Sequence, residues 1–380
     1  MSDKNVIVIG PVYPYKGGIS HYTGLLYRAL SKKYNTEVIS YKMQYPKILL
    51  KREQKDFSND TFKVDNAKFL INTANPFNIL KVAGRIKKSN PDAVIIEWWH
   101  PYFAPCYMLL MSKLKKIKKI FICHNVFPHE RFPMDKKLTK MVLKRGDAFI
   151  LHSKTEAMDL LSIQPEADYR VQVHPTYSAF NFDNLDKAQA RKILGIPNDE
   201  KLMLFFGYVR EYKGLNYLID AMEILKNSDA LVPKLYVVGD FDGNKDTYLE
   251  QIKKAGVEEY VTIVDGYVPD KEVEKYFSAA DMVVLPYVSA TQSGIVQIAY
   301  GFEKPVIVTN VGGLPEVVDD KKTGLIVEPC NPEALSEAVK EFYDSDCEDR
   351  FREYIKEATY RFSWDRMQET ISELMEKEDK

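Results

Sequence analysis

At 380 residues, 45% hydrophobic and 28% charged, the chain has the composition of an ordinary soluble globular protein. Its length exceeds what one hydrophobic core usually fills, so two domains are expected. No run approaches the roughly 18 apolar residues of a membrane span, and Cys106, Cys123, Cys330 and Cys347 have neither C-x-x-C nor metal-ligand spacing, which argues against a spanning helix, a disulfide framework and a cysteine metal site.

The N-terminal stretch "MSDKNVIVIG" passes directly into a strand without a secretory pattern, so the sequence predicts a cytoplasmic protein whose cysteines are small, buried and reduced. Further strand-like runs follow at "TEVIS", "AVIIEWW", "KKIFICHN" and "DAFILHS", and in the second half at "KLMLFFGY", "PKLYVVGD", "YVTIVDGY", "DMVVLPY" and "KPVIVTN". Stretches of helical period lie between them, among them "ISHYTGLLYRALSKK" and "LNYLIDAMEILKNS". Alternation of this kind predicts doubly wound parallel α/β sheets, and it occurs twice, giving two Rossmann-like domains with a cleft between them. The rhythm breaks between Tyr177 and Glu200, which places the domains at 1–185 and 186–355, with a closing helix over 356–380 packing back toward the first.

The net charge of −1 conceals two unlike halves. Residues 1–185 carry 29 Lys+Arg against 16 Asp+Glu, a net of +13, and residues 186–380 carry 24 against 38, a net of −14. A basic half is suited to an anionic membrane surface or ligand, and its densest part is "SKLKKIKKI", Ser112 to Ile120; a solvated helix end is the competing explanation.

In doubly wound sheets ligands gather at the carboxyl ends of the strands, so the loops there are the first places to look for chemistry. The first strand ends in "GPVYPYKGGISHY", where Gly17 and Gly18 open a helix and permit close approach of a phosphate, although paired glycines more often serve a tight turn. "LMLFFGYV" runs into "REYKGLNYL", placing Arg210 and Lys213 where two cations would suit a diphosphate leaving group; an exposed basic turn is the alternative. In "SATQSGIVQIAYGFEKP", Thr291, Gln292, Ser293 and Gly294 form a loop that opens a helix, an arrangement that presents backbone N–H groups to an anion.

The order and spacing of Gly17-Gly18, "GYVREYKGLNYLIDA", "LYVVGD", "DGYVPDKEVEKYFSAADMVVLPY", "GIVQIAYGFEKPVIVTNVGGLPEVVDDKKTGLIVEP" and "FSWDRM" resembles the group-1, or family 4, retaining glycosyltransferases of the GT-B fold. The resemblance covers almost the whole chain and is most specific in the second half. It implies that the C-terminal domain binds a nucleotide-diphosphate sugar, with UDP-sugars favoured, and that the N-terminal domain binds a glycan or lipid-linked acceptor. It also implies no metal, no further cofactor and no nucleic-acid partner. Lys213 matches the family's phosphate-binding lysine. The arginine expected five residues earlier falls on Tyr208, so either Arg210 takes its part or the site has one cation fewer. Tyr267 and Val268 match the segment whose backbone contacts the base. His124 matches a histidine beside the transferred sugar, against the alternative of a histidine capping a strand end; His129 and Glu130 match no defined role.

The sequence also departs from the family. Two glutamates separated by seven residues, one near the sugar and one on the ribose hydroxyls, would fall on Ala290 and Ile298, and both are absent. Gln292, Ser293 and Gln297 are the neutral groups placed to take over hydroxyl binding. The expectation is therefore a metal-independent retaining glycosyltransferase of cell-surface polysaccharide or glycolipid synthesis, peripheral at the inner membrane face. A non-catalytic nucleotide-sugar-binding or scaffold protein of the same fold is the alternative that the missing carboxylates motivate.

Overall fold

The computed structural model describes residues 4–49, 53–57, 60–128, 133–228, 231–345 and 347–376. The chain forms two compact units, residues 1–173 together with 363–380, and residues 174–362; the division expected after residue 185 therefore lies inside the second unit.

The first unit holds a seven-stranded sheet made of Asn5–Ile9 (β1), Asn35–Met43 (β2), Lys68–Asn72 (β3), Ala93–Trp98 (β4), Lys118–Cys123 (β5), Ala148–Leu151 (β6) and Tyr169–Val171 (β7). All pairings are parallel and the spatial order is β3-β2-β1-β4-β5-β6-β7. Strands in such a sheet are covered on both faces, which is why they read as unbroken apolar runs. Successive side chains point to opposite faces: Ile7 and Ile9 enter one apolar cluster with Phe121 and Cys123, and Val6 and Val8 enter another with Ile120 and Ile122. The helix Pro76–Ser89 shows the local rules that set its ends. The Asn75 side chain accepts the Asn78 N–H at 3.0 Å, Pro76 occupies the first turn, and Asn90 closes the helix in the left-handed region at φ 44°.

The last helix, Trp364–Glu376, packs within this unit. Met367, Ile371 and Leu374 join the cluster of Val6 and Val8, and Ser372 Oγ lies 2.6 Å from Tyr34 Oη. Cys106, Cys123 and Cys347 are buried as expected of small apolar residues, whereas Cys330 is exposed.

The second unit holds a parallel sheet of Leu202–Phe206 (β8), Lys234–Gly239 (β9), Val261–Asp265 (β10), Met282–Leu285 (β11), Val306–Thr309 (β12) and Gly324–Val327 (β13), in the order β10-β9-β8-β11-β12-β13. Chain direction across each sheet reverses once, between β1 and β4 in the first unit and between β8 and β11 in the second. The loops that leave these paired strands diverge, and the crevice they leave is the usual ligand position of the fold.

Candidate functional site

At the reversal point of the second unit, glycine geometry brings the loops together. β8 is followed by Gly207, at φ +105°, whose N–H donates to Val238 O at 2.9 Å; a Cβ on Gly239 would lie 1.9 Å from Gly207 O. The chain then makes the short turn Glu211–Lys213 and reverses at Gly214, φ +68°, where a Cβ would lie 2.0 Å from Pro286 O. Only glycine fits that approach. Val288 N–H donates to Tyr212 O at 2.7 Å, which fixes this turn to the loop after β11.

The consequence is that Lys213 is turned inward and left 8% exposed, with Nζ 5.3 Å from the centroid of the Tyr287 ring. Among the described residues it forms no ion pair with a carboxylate. Burial lowers its pKa, and Arg210 nearby lowers it further against an opposing influence from Tyr212. The position that a Cβ on Gly207 would take is 3.2 Å from Lys213 Nζ and 3.5 Å from Ile295 Cδ1, so the amine lies close to the start of the helix Gly294–Gly301.

The first turn of that helix is held by side-chain and loop contacts. Ser293 Oγ accepts the Ile295 N–H at 3.2 Å and lies 3.3 Å from Tyr287 Oη, while burial pushes the Tyr287 phenol up to about 12. Thr309 Oγ1 donates to Tyr287 O at 2.6 Å, and Gly313 N–H donates to Thr291 O at 2.9 Å. A Cβ on Gly294 would meet only Tyr177 Cε2, at 3.9 Å. Gln297 is 1% exposed and its Oε1 has no hydrogen-bond partner among the described residues, while Ile298 is buried. Tyr267 is exposed and Val268 partly so, on the loop after β10 whose Gly266 N–H donates to Gly239 O at 3.1 Å. Lys213, the 291–294 loop and Tyr267 thus share the carboxyl edge of one sheet.

Arg210 differs from Lys213. Its Nη1 lies 2.5 Å from Asp242 Oδ2 and its side chain is 43% exposed, so its charge already has a solvated partner. Such pairs contribute about 0–1 kcal/mol. Arg210→Ala is expected to weaken nucleotide binding no more than about fivefold, read by calorimetric titration, instead of sharing the large effect expected of Lys213.

In the first unit, Gly17 (φ +106°) and Gly18 open the helix Gly18–Ser31, and a Cβ on either would meet nothing within 4 Å. His124 follows β5; its N–H donates to Trp98 O at 2.8 Å and its Nε2 lies 2.5 Å from Glu97 Oε2. Burial raises the Glu97 carboxyl well above its ordinary value and lowers His124 to about 3. His152, directly after β6, is lowered to about 3, mainly by burial and further by His124, and its Nδ1 lies 2.8 Å from Gln172 O. Glu156 accepts the Val126 N–H, and burial pushes it up to about 8. Of these four groups sequence reasoning found only His124. Glu97 was legible as the single charge in an otherwise apolar strand, and Glu156 as the last residue of the helix-opening pattern Ser153-x-x-Glu156. His129 and Glu130 lie outside the described residues.

Glu156 makes stability depend on pH. Because its folded pKa lies above its ordinary value of 4.5, the unfolded chain releases this proton first, and stability falls as pH rises from 4.5 toward about 8. Glu156→Gln keeps an acceptor for Val126 and removes that dependence. Denaturant titration is expected to show the variant gaining on wild type by on the order of 1 kcal/mol per pH unit across this window.

Comparison with known proteins adds to this geometry. Residues 186–362 match the family model for glycosyl transferases group 1, and residues 16–176 match the model for Glycosyltransferase Family 4. The chain belongs to the group-1, family 4 glycosyltransferases. An uncharacterized glycosyltransferase of Methanocaldococcus jannaschii is 33% identical over 208 residues, covering 53% of this chain and 51% of the relative. A D-inositol 3-phosphate glycosyltransferase of Paenarthrobacter aurescens is 30% identical over 237 residues, covering 62% and 57%. The chain spans about half the length of the curated relatives it matches.

Solved structures resemble this group-1 family chain over nearly all its length. A glycosyltransferase from Rickettsia africae superposes with a TM-score of 0.75 at 21% identity, covering 99% of this chain and 98% of that one. The Anabaena protein HepE in complex with UDP gives 0.73 at 16% identity, covering 97% and 98%. At these identities the likeness is one of fold, and the fold is GT-B. Among the described residues, no cluster of three or more His, Cys, Asp or Glu is arranged to hold a metal ion, and no helix is long and apolar enough to cross a membrane.

Proposed function

We propose that the protein is a retaining glycosyltransferase that moves a sugar from a nucleotide-diphosphate sugar, a UDP-sugar before others, to a glycan or lipid-linked acceptor of cell-surface polysaccharide or glycolipid synthesis. The observation that carries this reading is Lys213, a buried cation without a carboxylate partner among the described residues, close to the capped start of the helix Gly294–Gly301. An unpaired buried charge is costly, and an anionic ligand resolves that cost. A diphosphate set against Lys213 and the Gly294 N–H at the helix start resolves it. HepE, which shares the fold, has been solved with UDP-glucose.

In this reading the acceptor oxygen bonds to the anomeric carbon as the bond from that carbon to the diphosphate breaks. The departing diphosphate takes the acceptor's proton on the same face. Lys213 and the helix start stabilise the charge that develops on the leaving group, which is a metal-independent way to assist departure. Tyr267 and Val268 lie beside the base, the buried Gln297 carbonyl is an acceptor for a sugar or ribose hydroxyl, and His124 contacts the transferred sugar. The unit of residues 174–362 takes the donor and the unit of residues 1–173 with 363–380 the acceptor.

Nucleotide release from UDP-, GDP- and dTDP-sugars, with and without lipid extract and with and without EDTA, tests the reading. Release that requires acceptor and survives EDTA is expected. The neutral Ala290 and Ile298 positions favour a second reading, a binding or scaffold protein, and nucleotide-sugar binding without release under any condition would select it.

The basic first half is proposed to face anionic lipid at the cytoplasmic face. Lys113, Lys115 and Lys116 are exposed, but Lys119 is not: its Nζ lies 2.6 Å from Asp147 Oδ2, which removes it from the group of lysines read as a membrane patch. Each exposed lysine contributes about 1 kcal/mol near such a surface. Sedimentation with vesicles should therefore show binding that rises with anionic lipid content and weakens with salt, and equal binding to neutral vesicles would remove the idea.

A further inference from the structure

The pair formed by Glu97 and His124 is built more tightly than strand-end capping requires. Glu97 is 0% exposed at the penultimate position of β4, and His124 is 5% exposed directly after β5, the strand that pairs with it. A Cβ on Gly10 would lie 2.7 Å from Glu97 Cγ and 2.8 Å from Thr23 Oγ1, so the residue after β1 packs closely against the Glu97 side chain and against Thr23 of the helix Gly18–Ser31. Glu97 Oε2 meets His124 Nε2 at 2.5 Å, while Oε1 has no hydrogen-bond partner among the described residues.

That asymmetry bears on where the proton sits. A carboxylate spreads its charge over both oxygens, and leaving Oε1 without a donor in the interior would be costly; a carboxylic acid leaves only a carbonyl there. Among the described residues, the titratable side chains around the pair include Tyr22 on the helix Gly18–Ser31, Tyr107 on the helix Ala104–Met111, Cys123 at the end of β5, His152 after β6 and Glu156 on the helix Lys154–Ile163. None of them brings a permanent cation that would hold Glu97 ionised. The Tyr22 ring stands edge-on to His124 at 4.7 Å, and the His152 ring lies 5.5 Å away, a placement that disfavours charge on either imidazole.

We propose that Glu97 is a positioning residue whose carboxylic acid donates to His124 Nε2 and fixes the ring as the neutral tautomer protonated at Nδ1. This rests on the reading that His124 contacts the transferred sugar. It assigns His124 a defined chemistry there: with Nε2 engaged and Nδ1 protonated, the ring offers an N–H and has no lone pair with which to take a proton from the acceptor. His124 is then a hydrogen-bond donor that orients the sugar and is not a general base, which leaves proton acceptance to the departing diphosphate.

The test is a long-range proton–nitrogen NMR correlation on the ligand-free, full-length protein labelled with 15N-histidine, the His124 signals being identified by their loss in His124→Ala. From about pH 5.5 to about pH 8 the wild type is expected to show Nδ1 protonated, Nε2 as an acceptor and no titration. Glu97→Gln, whose amide N–H can donate in place of the acid, should keep that pattern and retain turnover. Glu97→Leu should shift His124 toward the mixed tautomers of a free imidazole and lose turnover. A protonated Nε2 or an imidazolium in the wild type would overturn the proposal, as would an unchanged pattern in Glu97→Leu. Should the leucine variant not fold, the wild-type and glutamine spectra still decide it. Because the spectra need no substrate, a wrong tautomer overturns this assignment without touching glycosyl transfer, and a right tautomer in a protein that releases no nucleotide overturns the transfer reading alone.

Discussion

Lys213→Ala is expected to lose turnover and nucleotide affinity together while the ligand-free protein keeps, or gains, thermal stability. Removing one charge-assisted partner of a buried phosphate costs about 1.5–3 kcal/mol, or roughly 10–150-fold. The second half of the expectation separates a binding role from a structural one. Lys213 is buried with no carboxylate partner among the described residues, so in the absence of ligand its charge weakens the fold, and removing it relieves a desolvation cost. Lys213→Met, which refills the space beside Tyr287, is the cleaner form of the experiment. Calorimetric titration of UDP and thermal melts of both variants give the two readouts. Wild-type affinity in Lys213→Met would mean that the diphosphate lies elsewhere.

Gly294→Val is expected to abolish UDP binding and leave the fold intact. The backbone at Gly294 does not require glycine, since its φ is not positive, and the added Cβ would meet only Tyr177 Cε2 at an ordinary 3.9 Å. What valine would fill is the space before the first N–H groups of the helix, where the diphosphate is placed. Gly312 serves as the contrast. At φ +51°, with a Cβ only 1.6 Å from Ala290 O, Gly312→Ala must displace the 290–291 loop and should lower the melting temperature as well as binding. Circular dichroism melts beside UDP titration distinguish the two variants. A Gly294→Val protein that binds like wild type would remove the helix start from the donor site.

Some of these assignments were readable from residues alone. A parallel sheet covered on both faces demands apolar strands and amphipathic helices in alternation, and that demand is local, so "NVIVIG" and "KLMLFFGY" announce β1 and β8 wherever they occur. The turn "YKGLNYL" likewise placed Lys213 at a strand's carboxyl end, because loop position follows from the strand before it and the helix after it.

Which charges are buried, and which are already paired, the sequence alone did not determine. Lys213 and Arg210 stand three residues apart and read alike as a basic turn; only the approach of Gly214 to Pro286 turns one amine inward, and only the loop after β9 gives the other Asp242 as a partner. Lys119 reads as one lysine of a cluster until β5 is set beside β6, which brings Asp147 to its amine. Glu97 and His124 are 27 residues apart, and their bond exists because β4 and β5 pair in a register that puts Glu97 opposite Ile122 and carries His124 just past the strand end. Periodicity and turn chemistry act over a few neighbouring residues and are therefore written along the chain. A pKa or an ion pair depends on distances of a few ångströms between strands remote in sequence, and those distances are set only when the sheet has formed.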